Sequence, residues 1–289
     1  MTCYSPIRAY RDSSGRLFFH AKPGTNAFKV PCGQCVGCRL ERSRQWAARC
    51  MHEASLHAEN CFVTLTYRPE CCPVSLAYED FQLFLKRLRK AIEPRRVRFY
   101  MCGEYGETGG RPHYHALLFG WRPSDLVLFK KGLYRSRLLE VLWPHGFVAV
   151  GNVTFESAAY TARYVMKKIT GQAADTHYRH VDEDTGEVVQ RVPEFCHMSL
   201  KPGIGAGWLG KYLSDVYPNG TMVVRGHETS PARYYDKIYR RIDRDGYEAM
   251  KARRNLKAWD RFHDNVCYRL VVRGKVEAAR LKLLKRKEF

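Results

Sequence analysis

The chain has 289 residues, a length that suits a well-buried core and either one catalytic domain with additions or two domains. Lysine and arginine outnumber aspartate and glutamate by 49 to 29, so the net charge is +20, and an excess of this size favours nucleic acid as the partner. Aromatic residues make up 13% of the chain, which suits stacking against single-stranded DNA. The sequence has no apolar run of about 18 residues, as a membrane span needs, and residues 1–10 lack the order of a signal peptide. We therefore expect a cytosolic protein with no membrane partner.

The eleven cysteines indicate thiols and metal ligands of a reducing compartment rather than a disulfide framework. Residues 32–38 (CGQCVGC) place three of them at intervals of three, with glycines that permit a tight knuckle. These three are Cys32, Cys35 and Cys38. A structural zinc ion needs a fourth ligand, for which Cys3 is the first choice and Cys50 the second. The alternatives are an iron–sulfur cluster and a set of free thiols in a turn.

The middle of the chain alternates between helical and extended patterns. The predicted elements are, in order, a helix at 39–58, a strand at 61–67, a helix at 75–92, strands at 97–104 and 116–119, a helix at 135–142, a strand at 147–153 and a helix at 156–168. The arginines of the first helix suit either the backbone of DNA or a solvent-exposed face. Hairpins mixed with helices predict an α+β fold, in which helices pack on one face of a central antiparallel sheet.

This pattern divides the chain into three regions. Residues 1–58 form a Cys-rich N-terminal extension with a basic helix, residues 59–170 the core, and residues 171–289 a C-terminal region. The glycine-rich stretch 198–212 predicts either a flexible loop whose backbone approaches a ligand or a plain connector. Residues 251–289 carry 13 basic and 4 acidic residues, a basic helical tail that suits either DNA or a partner protein.

Residues 111–120 (RPHYHALLFG) contain two histidines at the start of a predicted strand. Because side chains alternate along a strand, His113 and His115 project to the same side and can hold one divalent ion. A Gly-rich turn joins this strand to the preceding one, which brings either Glu104 or Glu107 near the pair. Glu104 is the preferred ligand, since it lies on the strand rather than in the turn. The alternative is that one histidine is an ordinary hydrogen-bonded residue and the other is incidental.

Helix-forming residues dominate 156–168, and Thr154 or Ser157 can cap the start of this helix. Tyr160 and Tyr164 are four residues apart and therefore share one face, with two lysines one turn further on. These are Lys167 and Lys168. A tyrosine can attack a phosphodiester when a metal ion polarises the phosphate and a cation stabilises the phenolate. The alternative is an aromatic stripe that faces the core.

Together these motifs resemble those of the HUH endonucleases of rolling-circle replication. They are most similar to the replication initiators of the Microviridae, the small icosahedral single-stranded-DNA phages, and within these to the gokushovirus branch. The segments that match, in order, are 61–67 (CFVTLTY), 111–119 (RPHYHALLF) and 160–168 (YTARYVMKK). In the better-known branch a lysine precedes the second tyrosine. Here that position is Arg163, which keeps the charge but not a readily transferred proton.

The resemblance implies an antiparallel sheet that carries the histidines and a helix that presents the tyrosine. It implies that His113, His115 and Glu104 hold Mg2+ or Mn2+, and that Tyr160 or Tyr164 attacks the scissile phosphate. The cations expected to stabilise phenolate or phosphate charge are Arg163, Lys167 and Lys168. The products would be a 5′-phosphotyrosine and a free 3′-OH, so that the enzyme acts as a nickase and ligase. It would start rolling-circle replication of a circular single-stranded DNA phage genome in the bacterial host cytoplasm, with origin DNA and the host helicase and polymerase as partners.

Three other functions fit parts of the pattern. A transposase or plasmid relaxase would use the same chemistry on different DNA ends. A non-catalytic, zinc-clipped single-strand DNA-binding protein would share the charge and the aromatic content. A metal-dependent hydrolase of small phosphates would keep the tyrosines in its core, although such a substrate does not need a net charge of +20. A covalent protein–DNA adduct separates the tyrosine enzymes from the other two classes.

Overall fold

The computed structural model describes residues 3–106, 110–163, 168–169, 171–181, 186–260 and 262–283. The chain divides into two units. The first comprises Met1–Arg42, Pro218–Gly220 and Asp236–Phe289, and the second comprises Ser43–Tyr217 and Thr221–Tyr235. The division at 1–58, 59–170 and 171–289 stays a prediction about domain organisation. None of the helices in the described ranges combines the length and the apolar character that a bilayer crossing requires.

The described residues form fourteen strands and ten α-helices. The strands are β1 (Ile7–Arg11), β2 (Leu17–Phe18), β3 (Asn26–Val30), β4 (Asn60–Tyr67), β5 (Arg98–Tyr105), β6 (Pro112–Phe119), β7 (Leu126–Lys130), β8 (Leu133–Ser136), β9 (Gly146–Gly151), β10 (Arg179–Val181), β11 (Val188–Gln190), β12 (Phe195–Met198), β13 (Met222–Val224) and β14 (His227–Thr229). The helices are α1 (Val36–Ala54), α2 (Tyr78–Ala91), α3 (Arg137–Leu142), α4 (Phe155–Arg163), α5 (Gln172–His177), α6 (Ala206–Lys211), α7 (Leu213–Val216), α8 (Arg233–Ile242), α9 (Arg244–Trp259) and α10 (Cys267–Leu283).

The first unit contains a small antiparallel sheet in the order β2-β1-β3 and the C-terminal helices. Arg254 of α9 ties this unit together through two contacts. Its guanidinium donates to the Asp236 carboxylate at 2.8 Å and to the Gly220 carbonyl at 2.9 Å. The N-terminal end of α9 is capped by Asp243, whose carboxylate accepts from the Gly246 N–H at 2.8 Å.

The second unit is built on a seven-stranded sheet in the order β12-β5-β6-β4-β9-β8-β7, with every pair of neighbours antiparallel. This confirms the α+β class and the central antiparallel sheet. The histidine strand β6 lies between β5 and β4. A central strand has hydrogen-bonded neighbours on both sides, which makes it a rigid support for a site.

Helices cover both faces of this sheet, where the sequence predicted one. Tyr114 and Leu118 of β6 pack into one cluster with residues of α2 and α3. Leu117 and Phe119 pack into a second cluster, on the opposite face, with residues of α1 and α4. The physical reason is the continuous apolar run of β6, which leaves neither face polar, as in strands that are buried on both sides.

Helix α2 forms as its amphipathic pattern predicted. Its buried residues fall at helical spacing and are Phe81, Phe84, Leu85 and Leu88. Acidic residues occupy its first turn and basic residues its last turn, which complements the helix dipole. The β7–β8 hairpin was not predicted, and the predicted helix 135–142 begins later because Ser136 caps it, accepting from the Leu139 N–H.

The glycine-rich loop between β12 and α6 is packed into the second unit. The Gly205 N–H donates to the buried Glu53 carboxylate at 2.7 Å. A Cβ atom at Gly203 or Gly205 would collide with the hydroxyl of Tyr234 or Tyr235, respectively. The glycines therefore serve close packing, and the structure favours the connector over the flexible ligand-binding loop.

Tyr114, the residue between the two histidines, anchors β6 from the face opposite to them. Its hydroxyl donates to the Ala77 carbonyl at 2.6 Å and accepts from the Ala77 N–H at 3.1 Å. It also lies 3.0 Å from the Tyr67 hydroxyl, which donates to Asp80 at 2.5 Å. These bonds connect β6 to β4 and to the start of α2.

We expect Tyr114→Phe to lower the free energy of unfolding by about 1–3 kcal/mol, because the buried Ala77 peptide groups lose their partner. Urea unfolding followed by circular dichroism measures the change. Tyr268→Phe is the control, since Tyr268 is 70% exposed, and its effect should stay within about 0.5 kcal/mol. Equal losses in the two variants would contradict the anchoring role.

Candidate functional site

Strand register brings the three predicted metal-binding residues together. Glu104 of β5 lies directly opposite His113 of β6, and Cys102 lies opposite His115. Residues of one face lie at intervals of two along each strand, so Glu104 and both histidines project from the same face of the sheet. This is the face that α1 and α4 cover.

The three side chains converge on one point. The Nε2 atoms of His113 and His115 lie 2.7 Å and 2.9 Å from Glu104 Oε1. Glu104 and His115 are buried and His113 is half-buried. Burial raises the pKa of the Glu104 carboxyl, but hydrogen bonds from the two histidines lower it by more, so its pKa lies below the usual value. The carboxylate is therefore ionised at neutral pH and matches a cation.

The far nitrogen of each imidazole has its own partner. His113 Nδ1 lies 3.1 Å from the Arg111 carbonyl, to which it can only donate, and His115 Nδ1 lies 2.9 Å from Thr64 Oγ1. Such contacts orient metal-binding histidines and leave Nε2 for the ion. Adjacent ligands of an octahedral ion about 2.1 Å away are about 3.0 Å apart, close to the separations found here. The donor set therefore fits Mg2+ or Mn2+.

Thr64 is a residue whose partner the sequence did not identify. The sequence pattern predicted a polar face on β4 through Thr64 and Thr66. It did not pair the Thr64 hydroxyl with His115. The pairing depends on the register of β4 against β6, in which Thr64 lies opposite His115, and register between distant segments is not visible in local spacing.

Helix α4 carries Tyr160 to the site. As predicted, the start of α4 is capped: the Thr154 N–H donates to Ser157 Oγ at 2.9 Å, and the Ser157 N–H donates to Thr154 Oγ1 at 3.1 Å. Ala158 and Ala162 are fully buried against the sheet. Their small side chains let the helix approach closely.

Tyr160 itself is half-buried, and its ring meets the His115 ring edge to face, with centroids 5.1 Å apart. The first predicted tyrosine therefore lies beside the candidate metal ligands. Arg163 is exposed at the last residue of α4, and Lys168 lies in an irregular segment rather than in the helix. The remaining predicted residues, Tyr164, Lys167 and Glu107, lie outside the described residues.

A second candidate metal centre lies in the first unit. The four sulfur atoms of Cys3, Cys32, Cys35 and Cys38 all lie within 4.8 Å of one another. Cys3 joins the cluster, whereas Cys50, the second choice, is buried in the core beside α4. Gly33 has φ of 79°, a left-handed conformation that lets the chain turn sharply after Cys32.

The cysteine cluster has the spacing of a tetrahedral thiolate site. Cys3 Sγ lies 3.7 Å from Cys32 Sγ and 3.9 Å from Cys35 Sγ. A zinc ion with Zn–S bonds of about 2.3 Å separates its sulfurs by about 3.8 Å. Burial raises the pKa of the Cys35 thiol, but hydrogen bonds, including one from the Tyr4 N–H, lower it to about 6. These residues fit zinc.

Comparison with known proteins identifies the family. The family model for the replication-associated protein ORF2 matches residues 60–169. Over 275 residues the chain is 32% identical to the replication-associated protein VP4 of Bdellovibrio phage phiMH2K, which covers 89% of this chain and 83% of that protein. The chain belongs to this family of phage replication-associated proteins.

Two further relatives of this replication-associated protein carry the same description. It is 32% identical over 257 residues to the replication-associated protein ORF2 of Spiroplasma virus 4, covering 78% of this chain and 74% of the relative. It is 28% identical over 247 residues to the replication-associated protein ORF4 of Chlamydia phage 1, covering 78% and 59%. No solved structure matches the chain. The predicted family is thereby confirmed.

In this replication-associated protein, Thr64→Val should weaken Mn2+ binding roughly tenfold, because His115 loses the partner that orients it. Electron paramagnetic resonance of free Mn2+ measures the affinity. Thr66→Val is the matched control. It lies on the same strand opposite His113, and its hydroxyl makes no hydrogen bond to any residue that the structure describes. Equal affinities for the two variants would refute an orienting role for Thr64.

The purified protein should contain about one tightly bound zinc ion per chain, which Cys35→Ser should abolish. Elemental analysis by mass spectrometry measures the metal. Cys71→Ser is the control, since Cys71 is exposed and lies outside the cluster. Iron with a visible absorption band would support the iron–sulfur alternative, and an absence of metal would support free thiols.

Proposed function

We propose that this protein is a metal-dependent, site-specific endonuclease that nicks and rejoins single-stranded DNA and so starts rolling-circle replication of a phage genome. The observation that carries the proposal is the contact between Tyr160 and His115, which sets a nucleophile beside a three-residue metal site. The family membership supports a role in replication.

Glu104, His113 and His115 would hold Mg2+ or Mn2+. Three protein ligands leave positions open for the oxygens of the scissile phosphate, and the ion would supply Lewis-acid polarisation of that phosphate. The protein's contribution is orientation. The Arg111 carbonyl and the Thr64 hydroxyl hold the two rings in place, and the half-buried position of Tyr160 limits the access of water to the attacking oxygen.

The tyrosine oxygen attacks phosphorus while the bond between phosphorus and the 3′ oxygen breaks. The new bond is a 5′-phosphotyrosine, and the leaving 3′ oxygen takes up a proton to give the free 3′-OH that primes synthesis. Because the covalent link preserves the energy of the phosphodiester, the reverse step rejoins DNA without ATP. The cations proposed to stabilise charge in this step are Arg163, Lys167 and Lys168.

Two tyrosines divide the work. While Tyr160 or Tyr164 holds the displaced 5′ end, the other cuts the regenerated origin and releases a unit-length circle. The partners in this scheme are single-stranded origin DNA and the host helicase and polymerase, and the reaction takes place in the bacterial host. Of the alternatives, a transposase or relaxase shares this chemistry, and a zinc-clipped DNA-binding protein would form no adduct.

Single-stranded origin DNA labelled on either side of the nick tests the proposal on denaturing gels with Mn2+ or Mg2+. Wild type should give a protein-linked band on the 3′ fragment. His113→Ala and the double Tyr160→Phe, Tyr164→Phe variant should lose activity by about 100-fold or more, since they remove a ligand and the nucleophiles. The single Tyr→Phe variants rank the two tyrosines.

Tyr10→Phe, a substitution in the first unit, is the control and should cleave like wild type. Cleaved DNA without an adduct would indicate a hydrolytic nuclease. Tight binding with no cleavage under either metal would leave the DNA-binding protein as the function.

A further inference from the structure

Helix α10 has two apolar faces on opposite sides. One faces its own unit: Leu270 is 4% exposed, and Gly274 lies against the side chain of Tyr4. The other is an apolar stripe exposed to solvent, which we call the α10 stripe. Its residues are Tyr268, Val272, Val276, Ala279 and Leu283. At about 100° per residue they fall within an arc of about 80°, so they form one continuous surface.

The α10 stripe is unusually exposed for side chains of this type. Tyr268 is 70% exposed, Val276 is 62% exposed and Leu283 is 84% exposed. Scattered exposed apolar residues are normal, whereas a contiguous row marks an interaction surface. The spacing along the stripe is four, four, three and four residues, which is the seam of a helix that packs lengthwise against another helix.

Basic residues border the α10 stripe on both sides. By helical geometry Arg269 and Arg280 lie along one edge, and Lys275 and Lys282 lie along the other. Helix α10 contains five basic residues and one acidic residue, Glu277, which lies on the side away from the stripe. The surface is therefore an apolar strip between two positive rails.

We propose that the α10 stripe docks an acidic amphipathic helix of another protein, with apolar residues along its seam and glutamate or aspartate at its edges. Charges at the edges of a helix seam decide which partner it accepts. A second copy of α10 would bring positive edges against positive edges. DNA would match the charges but leave the apolar strip in water. An acidic helix satisfies both features at once. This interaction lies beyond the nicking reaction.

A labelled synthetic peptide tests the proposal by fluorescence anisotropy with the full-length protein. The peptide has three heptads, with leucine at the seam positions and glutamate at the edges. It should bind saturably, and a version with lysine at the edges should not. Val276→Glu should weaken binding roughly tenfold or more, because it sets a charge in the seam. Glutamate is a good helix former, so circular dichroism should show the helix intact.

Val127→Glu is the matched control, because Val127 is also a highly exposed valine, at 68%, but lies on β7. It should bind the acidic peptide like wild type. No saturable binding of that peptide, equal binding of the lysine version, or equal weakening by both substitutions would overturn the proposal.

Three further measurements identify the competing occupants. A dimer in sedimentation equilibrium that Val276→Glu dissociates would show that a second copy covers the stripe. Binding to phosphatidylglycerol vesicles that the same substitution abolishes would show a membrane surface. An equal loss of affinity for single-stranded DNA would show a nucleic-acid surface. Each of these results would replace the acidic helix.

Discussion

The alternation of side chains along β6 is the constraint on which the second unit depends. His113 and His115 project to one face, and Tyr114 projects to the other. The Tyr114 hydroxyl exchanges two hydrogen bonds with the Ala77 peptide groups, and this fixes the rotation of the strand about its axis. A slip of one residue would reverse both faces, burying the histidines among the aromatic residues of α2. The anchor on one face therefore aims the ligands on the other.

The distance between helix and sheet is the second requirement of the site. Alanines at 158 and 162 set this distance on α4, where both are fully buried. Ser43 of α1 adds a hydrogen bond to the Ala159 carbonyl at 3.2 Å. Larger side chains at the alanine positions would lift the helix, and with it Tyr160, away from His115. The nucleophile thus depends on residues with no chemistry of their own.

Much of this arrangement was predictable because it is written in local patterns. The alternation of β4 and β6, the helical spacing of α2 and the caps of α4 each lie within a short stretch. Glu104 was predictable because a hairpin brings its strand against β6. The β7–β8 hairpin was missed, since its exposed residues Val127, Leu128 and Phe129 give no alternating pattern.

The remaining features depend on packing between distant segments. The glycines at 203 and 205 are needed because Tyr234 and Tyr235 lie against them, about thirty residues further along the chain. The same limitation applies to the Thr64–His115 pair and to the coverage of both sheet faces. The spacing of the N-terminal cysteines suggested a cluster, but that Cys3 completes it follows from the three-dimensional structure.

The position of β7 at the edge of the sheet has a consequence for how the protein behaves in concentrated solution. An edge strand with unpaired peptide groups and exposed apolar side chains is a template for pairing with another chain. Lys130 closes this strand, Lys131 follows it and Arg135 stacks on Phe129 with 4.0 Å between guanidinium and ring. Like charges at this edge oppose its association with a copy of itself. The repulsion weakens when salt or a bound polyanion screens it, so the net charge of +20 also acts as a safeguard against aggregation, and that safeguard is weakest when DNA is bound.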